Sequence, residues 1–536
     1  MPRCASSWWV VEPTSNFPNP PSSQLGWDST YIPRAVTKPE IKTAASILSR
    51  FYNRPPMRPS RQQLQDALKS LRDPSLRYAD VRYTATHNQH VRVRNGEVDT
   101  LISSVDSAIG VRVLVGNGWG FAASSDVNED SVIRTAKRAL EVAAASNLAS
   151  PGEIVLSDVE PHVATWQSDF VKDPWAIPLE RKIDHLLQAT EPMRSDPRIH
   201  QASGDISSYR QEKIFASTVG SYIEQTTTEM GGGIEALAID GDEFQRRTFP
   251  NPFGGDFQAA GWEFIEALDL AAKGLQIRDE ALALLAAPKA PPGRFDLVVG
   301  TSQLALQVHE SCGHPTELDR AMGLEISLAG GSFLQPSMLG NFRYGSDLVN
   351  IVADATVAKS IGSFAFDDDG VPAQRFPLID RGIFVDYLSG RDTAPAIGRK
   401  SNGTVRAESA ARIPIIRMTN INLEPGTTPL EEIIADTKRG IFVDTNKSWS
   451  IDDVRLNFQF GCEVAWEIDH GRLGRLLRNP VYGGTTPDFW RSCDAVGDRA
   501  SWQIWGVPNC GKGDPMQTMR VAHGAPVARF RNVEMF

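Results

Sequence analysis

Two segments with prolines interrupt the hydrophobic patterns of this 536-residue chain and constrain how it can fold. The first covers residues 150–175 and contains Pro151, Pro161 and Pro174, and the second is Pro288-Lys-Ala-Pro-Pro-Gly293. We interpret both as linkers, because proline does not suit the interior of a helix or strand. A chain of this length also exceeds one ordinary core. We therefore predict an extended proline-rich arm followed by three domains: 1–60, 61–165, 166–290 and 291–536.

The patterns within these segments predict an α+β fold. Residues 78–86 and 90–94 alternate apolar and polar side chains, and Asn95-Gly96 is a hairpin signal. Helical spacing follows at 131–146 and 179–193, whereas the chain from Phe295 onward has the patterns of strands and turns. We expect amino-terminal sheet-and-helix domains followed by a β-rich carboxy-terminal catalytic domain. Three local predictions are a helix over 60–71 with Ser60 as N-cap, a turn at Gly231-Gly-Gly233, and one helix over 259–287.

Composition excludes several classes of function. The formal charge is −10, from 55 Lys and Arg against 65 Asp and Glu, which argues against a nucleic-acid partner. No run of 18 apolar residues is present, so we expect no membrane span. Five cysteines form a low, odd count, unlike a disulfide framework. We therefore expect a cytoplasmic protein whose thiols are core residues or metal ligands.

The segment His309-Glu310-Ser-Cys-Gly313-His314 carries the strongest chemical signal. It lies at the far end of a predicted helix, and its histidines are five positions apart. On an ideal helix such residues point about 140° apart, so both imidazoles cannot reach one ion. The helix must therefore be distorted. Either it breaks, with Gly313 left-handed and Pro315 displacing His314 from helical geometry, or it widens in a π-type bulge.

Two neutral imidazoles and one further ligand suit Zn²⁺ and leave one position for water. Glu310, beside the first histidine, is then the natural general base. A single buried histidine is more often a hydrogen-bonded core residue than a ligand. Two histidines at this spacing with a glutamate beside the first favour the metal interpretation, since composition gives this pattern by chance in about one chain in a hundred.

The third ligand remains open from the residues alone. Cys510 lies in a segment dense in glycine and proline, which we expect to be a turn, and nearby Lys512 would favour the thiolate. Cys462 lies in a strand pattern and suits the core, and Cys493 has no supporting neighbours. Two acidic residues just after the motif complete the candidates: Glu317 and Asp319.

Taken together, a series of ordered motifs resembles the TldD/PmbA family of zinc peptidases over roughly residues 75–536. The matching motifs are Ala79-Asp-Val81, Gly110-Val-Arg112, Gly118-Trp-Gly-Phe121, His309-Glu310-x-x-Gly313-His314-x-x-Glu317-x-Asp319, Gly362-Ser363, Asp367-Asp-Asp-Gly370, Ser401-Asn-Gly403, Arg406-x-Glu408-Ser409, Arg417-Met-Thr-Asn420 and Cys510-Gly-Lys512-Gly-Asp-Pro515.

The resemblance implies that His309, His314 and Cys510 hold one Zn²⁺ per chain and that Glu310 is the base. It implies cleavage of unfolded or leader-type peptides in a closed chamber. It also implies a TldD-like subunit that forms a homodimer, or a heterodimer with a PmbA-like subunit. The residues near the cleft that would then bind the substrate are Arg406, Glu408, Arg417 and Asn420. Two acidic residues, Glu317 and Asp319, would support the metal ligands.

Other interpretations are weaker. The histidines could be structural in a non-catalytic scaffold or peptide-binding subunit, or the site could act on another carbonyl or amide. Gly506–Gly513 lacks the Ser or Thr of a P-loop, and Pro515 excludes the helix that would follow it. Asp367–Gly370 lacks the first carboxylate of a calcium loop and suits an acidic turn instead.

Overall fold

The computed structural model describes residues 56–150, 152–325 and 330–536. The predicted arm at 1–60 therefore lies outside the described residues except for its last five. None of the helices in the described ranges has the length and apolarity needed to cross a bilayer.

The first half of the described chain alternates long strands with helices, as predicted for an α+β fold. Its elements are α1 (Arg61–Ser70), β1 (Leu76–Arg94), β2 (Glu97–Val115), β3 (Gly118–Ser124), α2 (Glu129–Ala149), β4 (Val163–Gln167), α3 (Leu179–Thr190), β5 (Ile199–Ser217), β6 (Tyr222–Asp240), β7 (Glu243–Phe249), β8 (Asp256–Gln258), α4 (Trp262–Leu268) and α5 (Leu270–Ala286). The capped helix predicted after Ser60 is confirmed, because the Ser60 hydroxyl accepts from the Gln63 N–H.

One sheet joins both predicted amino-terminal segments, in the order β3-β2-β1-β5-β6-β4, with β7 and β8 paired to β6. Helices α1 and α2 pack on one end of it, and α3, α4 and α5 pack on the other, in two separate hydrophobic cores. Odd-numbered residues of β1, such as Tyr83 and Val91, face these cores. Even-numbered Arg82 and Thr84 instead bond to the main chain of Arg412 and Ala410 in the carboxy-terminal part. The domain boundaries at 165 and 290 stay a prediction.

Two local predictions in this half are wrong. Residues 231–233 lie inside β6 rather than in a turn, because β8 crosses there and a Cβ on Gly231 would lie 2.0 Å from the Phe257 ring. The single helix predicted over 259–287 is two helices, since Asp269 takes a left-handed conformation (φ 46°) between α4 and α5.

The second half is rich in strands, which confirms the predicted fold class. Its elements are β9 (Gly293–Val299), α6 (Thr301–Val308), α7 (Leu318–Ala321), β10 (Ile351–Asp354), β11 (Arg375–Asp380), β12 (Ile383–Phe384), β13 (Val405–Arg406), β14 (Ile415–Ile416), β15 (Ile421–Leu423), α8 (Leu430–Ala435), β16 (Arg439–Ile451), β17 (Asn457–Asp469), β18 (Arg472–Leu477), β19 (Val481–Thr485), α9 (Thr486–Arg491), β20 (Cys493–Val496), β21 (Gln503–Lys512), β22 (Gln517–Ala525) and β23 (Ala528–Met535).

The main sheet of this half positions helix α6. Its order is β16-β9-β23-β19-β17-β18, with β20 paired to β23. Strand β9 lies between β16 and β23 and leads directly into α6, which packs against β16 and against the β21–β22 hairpin. A smaller sheet, β12-β11-β10-β15, shares the same hydrophobic core. The far end of α6 is therefore enclosed on several sides.

Candidate metal centre

Helix α6 does not end at the first histidine of the motif but widens there. Residues His309–Gly313 form one π-helical turn, in which the His314 N–H donates to the His309 carbonyl. This turn closes over five residues rather than four, so His314 comes round onto the side of His309. The two ring centroids lie 4.8 Å apart. The π-type bulge, one of the two predicted distortions, is confirmed.

The alternative, a break of the helix at Gly313, is wrong. Gly313 has φ −73° and ψ −67°, and His314 has φ −59° and ψ −42°, so both are right-handed helical. Glycine is needed here for space, because a Cβ would lie 2.0 Å from the Met418 sulfur. Pro315 falls in the first turn of a short 3₁₀ helix, His314–Thr316, where a proline fits without losing a helical hydrogen bond.

Side chains from elsewhere satisfy the carbonyl groups that the π turn leaves without helical partners. The Thr316 hydroxyl lies 2.8 Å from the carbonyls of both Cys312 and Gly313. The Tyr344 hydroxyl donates to the Ser311 carbonyl, and the Trp490 indole N–H donates to the Ser311 hydroxyl. The widened turn is thus held by specific hydrogen bonds rather than being an irregular end.

The structure brings His309, His314 and Cys510 together. One ligand atom from each lies within 4.8 Å of the other two, and all three residues are buried. The Cys510 sulfur is 3.8 Å from His314 Nε2, close to the separation of about 3.5 Å that tetrahedral Zn–N and Zn–S bonds would impose. Two imidazoles and a thiolate therefore fit a zinc ion in chemistry and in spacing.

The cysteine lies in a different local structure from the one predicted. Cys510 is part of strand β21, opposite Met519 on β22, and not in a turn. Pro508 and Asn509, directly before it, fall in an irregularity of the pairing between Val507 and Cys510. The other three cysteines in the described chain belong to the hydrophobic core: Cys312, Cys462 and Cys493.

A chain of hydrogen bonds orients the first imidazole. His523 Nδ1 lies 3.1 Å from the Ile421 carbonyl, which can only accept, so this nitrogen carries the proton. Burial holds the pKa of His523 well below its usual value, so its other nitrogen, Nε2, is an acceptor. His309 Nδ1, 2.7 Å away, therefore donates, and the lone pair of His309 Nε2 remains for a metal.

A carboxylate orients the second imidazole in the same way. His314 Nδ1 lies 3.1 Å from Glu317 Oε2, which leaves Nε2 facing the Cys510 sulfur. Burial raises the pKa of Glu317, but Lys512 and Arg320 outweigh it and hold that pKa well below its usual range. Glu317 is therefore a charged acceptor. Burial also lowers the pKa of both His309 and His314, which keeps the rings neutral and able to bind a metal.

The thiol of Cys510 is poised to ionise. Burial raises its pKa, but the charge of Arg417 and the contact with His314 outweigh burial, so the pKa lies below the usual value for a thiol. The Arg417 guanidinium also donates to the Cys510 carbonyl. Lys512, which we predicted to favour the thiolate, instead bonds to both oxygens of Asp319 at 2.8 Å.

Glu317 and Asp319 both lie in one buried ionic cluster beside the site. Arg320 Nε is 2.7 Å from Glu317 Oε2, and Lys512 is 3.4 Å from the same oxygen. Neither carboxylate belongs to the group of possible metal ligands in the described chain. Their contacts link the helix turn after the motif to strand β21, which carries the cysteine.

The predicted base, Glu310, is buried beside His309. Its Oε2 atom accepts from Arg455 Nη1 at 2.7 Å. Arg455 is itself buried and lies on the loop between β16 and β17. The carboxylate is therefore held in place by a charge-assisted hydrogen bond.

The four predicted substrate residues have different surroundings. Arg406 and Glu408 line a cleft between the amino-terminal sheet and the β21–β22 hairpin. Arg417 lies in the interior, where it donates to the carbonyls of Gln517 and Cys510. Asn420 is fully buried and bonds to Asp354, Ser360 and Ser363. Of the four, Arg406 and Glu408 line the cleft, but Arg406 is itself buried and donates to the carbonyls of Met418 and Arg520.

Two residues of the site were not found by sequence reasoning, His523 and Arg455. Each lies far from the motif along the chain. His523 is 214 residues from its partner His309, and Arg455 is 145 residues from its partner Glu310. Neither belongs to a metal-ligand spacing that a pattern search could detect. Only the packing of β22 and of the β16–β17 loop against the π turn brings them into contact.

His523→Phe is expected to lower zinc affinity by about 10–100-fold, because the His309 ring loses the acceptor that fixes its orientation. Competition with a chromophoric chelator measures this affinity. The control is His185→Phe. His185 lies on the distant helix α3, where its ring packs against Trp262 of α4. Equal affinity in the His523 variant and the wild type would contradict a supporting role.

An α+β chain that brings two histidines, a cysteine and a glutamate into one buried cluster has the make-up of a metallopeptidase. Models of three PmbA/TldA metallopeptidase domains match the chain: domain 1 at residues 79–143, the central domain at 172–285 and the C-terminal domain at 292–535. The chain belongs to the TldD/PmbA family.

Similar proteins and structures agree with this assignment. A metalloprotease of Methanocaldococcus jannaschii is 29% identical over 422 residues, covering 78% of this chain and 89% of that protein. A metalloprotease TldD homolog of Haemophilus influenzae is 26% identical, and the match covers 88% of this chain and 96% of that protein. The crystal structure of TldE from Thermococcus kodakarensis shares the fold, with a TM-score of 0.66 at 17% identity. The match covers 88% of this chain and 99% of that chain. The crystal structure of a Thermotoga maritima protein, described as a candidate modulator of a DNA gyrase, also shares the fold. Its TM-score is 0.67 at 16% identity, and the match covers 93% of this chain and 100% of that chain.

Proposed function

We propose that this chain is a zinc-dependent peptidase in which His309, His314 and Cys510 hold one Zn²⁺ and Glu310 is the general base. The observation that carries the proposal is the meeting of three ligand atoms within 4.8 Å, with a glutamate beside the first ligand. Each imidazole also donates its Nδ1–H group to an outer partner, as metal-binding histidines commonly do. A histidine pair with a purely structural role would not need a buried thiol of lowered pKa, that of Cys510, beside it.

Glu310 has one oxygen available for proton transfer. Oε2 is occupied by Arg455, whereas Oε1 makes no hydrogen bond to any described residue. Bound zinc supplies a Lewis acid that lowers the pKa of water to about 7. The Glu310 carboxylate takes the proton of the attacking water and then delivers it to the nitrogen of the leaving amine. The burial of the site keeps bulk water away from this transfer.

The substrates we propose are unfolded or leader-type peptides. An extended segment could reach the site along the cleft between the amino-terminal sheet and the carboxy-terminal part. The cleft is lined from the sheet by Gln211, Lys213 and Gln225, and from the other side by Arg406, Glu408 and Arg520. No carboxylate of the described residues pairs with Arg406 within 4.0 Å, and burial and the charge of Arg417 lower its pKa to about 10. We therefore keep Arg406 and Glu408 as substrate contacts, and assign Arg417 and Asn420 to positioning the main chain.

We extend the proposal to the assembly and the location of the chain. We propose a dimer, either of two copies or with a PmbA-like subunit, and the TldE fold supports the second arrangement. A dimer would enclose the active site and limit substrates to chains that can be threaded into it. We propose a cytoplasmic location, which suits reduced cysteines as metal ligands.

Metal analysis tests the proposal directly. The purified chain is expected to carry one zinc per chain, to cleave an unfolded polypeptide, to lose cleavage on dialysis against a chelator and to regain it with added Zn²⁺. A panel of small amides serves as the control for an enzyme acting on another class of carbonyl. A chain that takes up no zinc and cleaves nothing would instead be the scaffold or peptide-binding subunit.

A further inference from the structure

The ion pair between Arg455 and Glu310 has a feature that a structural salt bridge does not need. Of the Arg455 guanidinium, Nη1 donates to Glu310 Oε2 at 2.7 Å. Nε is buried and has no acceptor among the described residues. The Nη2 group also makes no hydrogen bond to them, but it is not among the buried unpartnered atoms of the described residues and therefore stays accessible. Most donors of this guanidinium are therefore unused.

The backbone holds Arg455 firmly in this position. Its φ is +67°, a left-handed conformation that is uncommon for a residue with a side chain. The Asp452 carboxylate accepts from the N–H groups of Leu456 and Asn457, and the Thr486 hydroxyl donates to the Arg455 carbonyl at 2.8 Å. Strain of this kind persists where surrounding contacts fix the residue, and it concentrates at functional sites.

Leaving a buried donor without an acceptor is costly. The Nε groups of Arg82, Arg92, Arg417 and Arg478 also lack a hydrogen-bond partner among the described residues, so what distinguishes Arg455 is its place rather than its unpaired groups. Those of Arg455 belong to the guanidinium that holds the proposed base, and that base follows the first metal ligand directly. A molecule that enters the active site can therefore supply the acceptor that they lack. A peptide substrate brings one such group to this place, the carbonyl oxygen of the bond to be cleaved.

We propose that Arg455 is a catalytic residue that stabilises the negative charge on this oxygen in the transition state. The inference rests on the proposed peptidase function and deepens it. As the water oxygen bonds to the carbonyl carbon, the π pair of the carbonyl moves to its oxygen and Glu310 takes the water proton. The free N–H groups of Arg455 donate to the oxygen that becomes charged. When that pair re-forms the carbonyl, the C–N bond breaks and the nitrogen receives the proton from Glu310.

A lysine at this position separates the two roles of Arg455. Its ammonium can keep the ion pair with Glu310, but it is a compact point charge that lacks the planar fork needed to reach a second oxygen. Arg455→Lys is therefore expected to lower kcat by about 10²–10³-fold, the loss typical for one oxyanion donor, with KM unchanged within about twofold. Zinc content and thermal midpoint should match the wild type.

A binding measurement tests the proposal without turnover. A phosphinic peptide presents a tetrahedral, charged oxygen in place of the reacting carbonyl, so its Kd on the zinc-loaded chain should rise by a similar factor in Arg455→Lys. The matched control is Arg247→Lys, a buried arginine that pairs with Glu463 and Glu280 away from the site. This control should leave kcat and the Kd of the phosphinic peptide as in the wild type.

A second variant, Arg455→Gln, guards against misfolding, because its amide can still donate to Glu310. Loss of zinc or of folded structure in both variants would give Arg455 a purely structural role and overturn the proposal. So would an Arg455→Lys variant with the kcat and the phosphinic peptide affinity of the wild type. A wild-type chain that cleaves peptides would leave the proposed function standing in either case, whereas one that neither binds zinc nor cleaves would overturn both.

Discussion

Glu310→Gln is expected to keep its zinc and to lose peptide hydrolysis by about 10²–10⁴-fold. Glutamine has the shape of glutamate and can still accept from Arg455 Nη1, which lies 2.7 Å from the carboxylate in the wild type. It cannot take a proton from water at neutral pH, so only the base is removed. Cleavage of an unfolded polypeptide and zinc content, measured on the same preparation, give the two readouts.

Glu463→Gln is the matched control for this variant. Glu463 is also buried and bonds to two arginines, Arg246 and Arg247, but it joins β17 to β7 rather than facing the metal cluster. Its replacement should lower thermal stability and leave the turnover of the folded chain unchanged. If Glu310→Gln cleaves peptides at the wild-type rate, Glu310 is not the base and the proposed mechanism fails.

Cys510→Ser is expected to reduce zinc affinity by more than the 10–100-fold that typically follows loss of an outer contact, because it removes a ligand itself. A thiolate is a soft, charged ligand that zinc prefers, whereas the serine hydroxyl stays protonated and binds the ion poorly. Zinc content after gel filtration and affinity by chelator competition measure the change.

Cys493→Ser provides the comparison for the cysteine variant. Cys493 is equally buried, but its sulfur contacts the Ala495 carbonyl in the hydrophobic core and no histidine. A serine there costs stability without touching the ligand set, so the zinc affinity of the folded protein should not change. Identical zinc affinity in the Cys510 and Cys493 variants would show that the third ligand is another residue.

Much of the fold and the centre of the site could be predicted because the signals are local. The Asn95-Gly96 turn lies between two long strands, and Ser60 caps the first described helix, as the patterns indicate. The histidine spacing was informative for a similar reason. An i, i+5 pair with one metal in common requires a distorted helix, and the π turn is one of the two solutions predicted.

The errors arise where a distant segment determines the local structure. Three glycines in a row are typical of a turn, yet Gly231–Gly233 continue a strand because β8 packs across them. A distant segment also explains the glycine at position 313. A Cβ there would collide with the sulfur of Met418, about a hundred positions later in the chain. The interactions that orient His309 and Glu310, from His523 and Arg455 respectively, depend on the same long-range packing and leave no periodic trace in the sequence.

The π turn has a consequence for how this motif relates to its shorter counterpart. A four-residue turn of an ordinary α-helix places the histidines of HExxH on one face, and the five-residue turn at His309–Gly313 does the same for HExxxH. The two spacings therefore differ by the insertion of a single codon. Such an insertion leaves carbonyl groups without helical partners, and here Tyr344 and Thr316 supply those partners. The hydroxyls of these two residues thus help the helix that carries the motif to accommodate the additional residue.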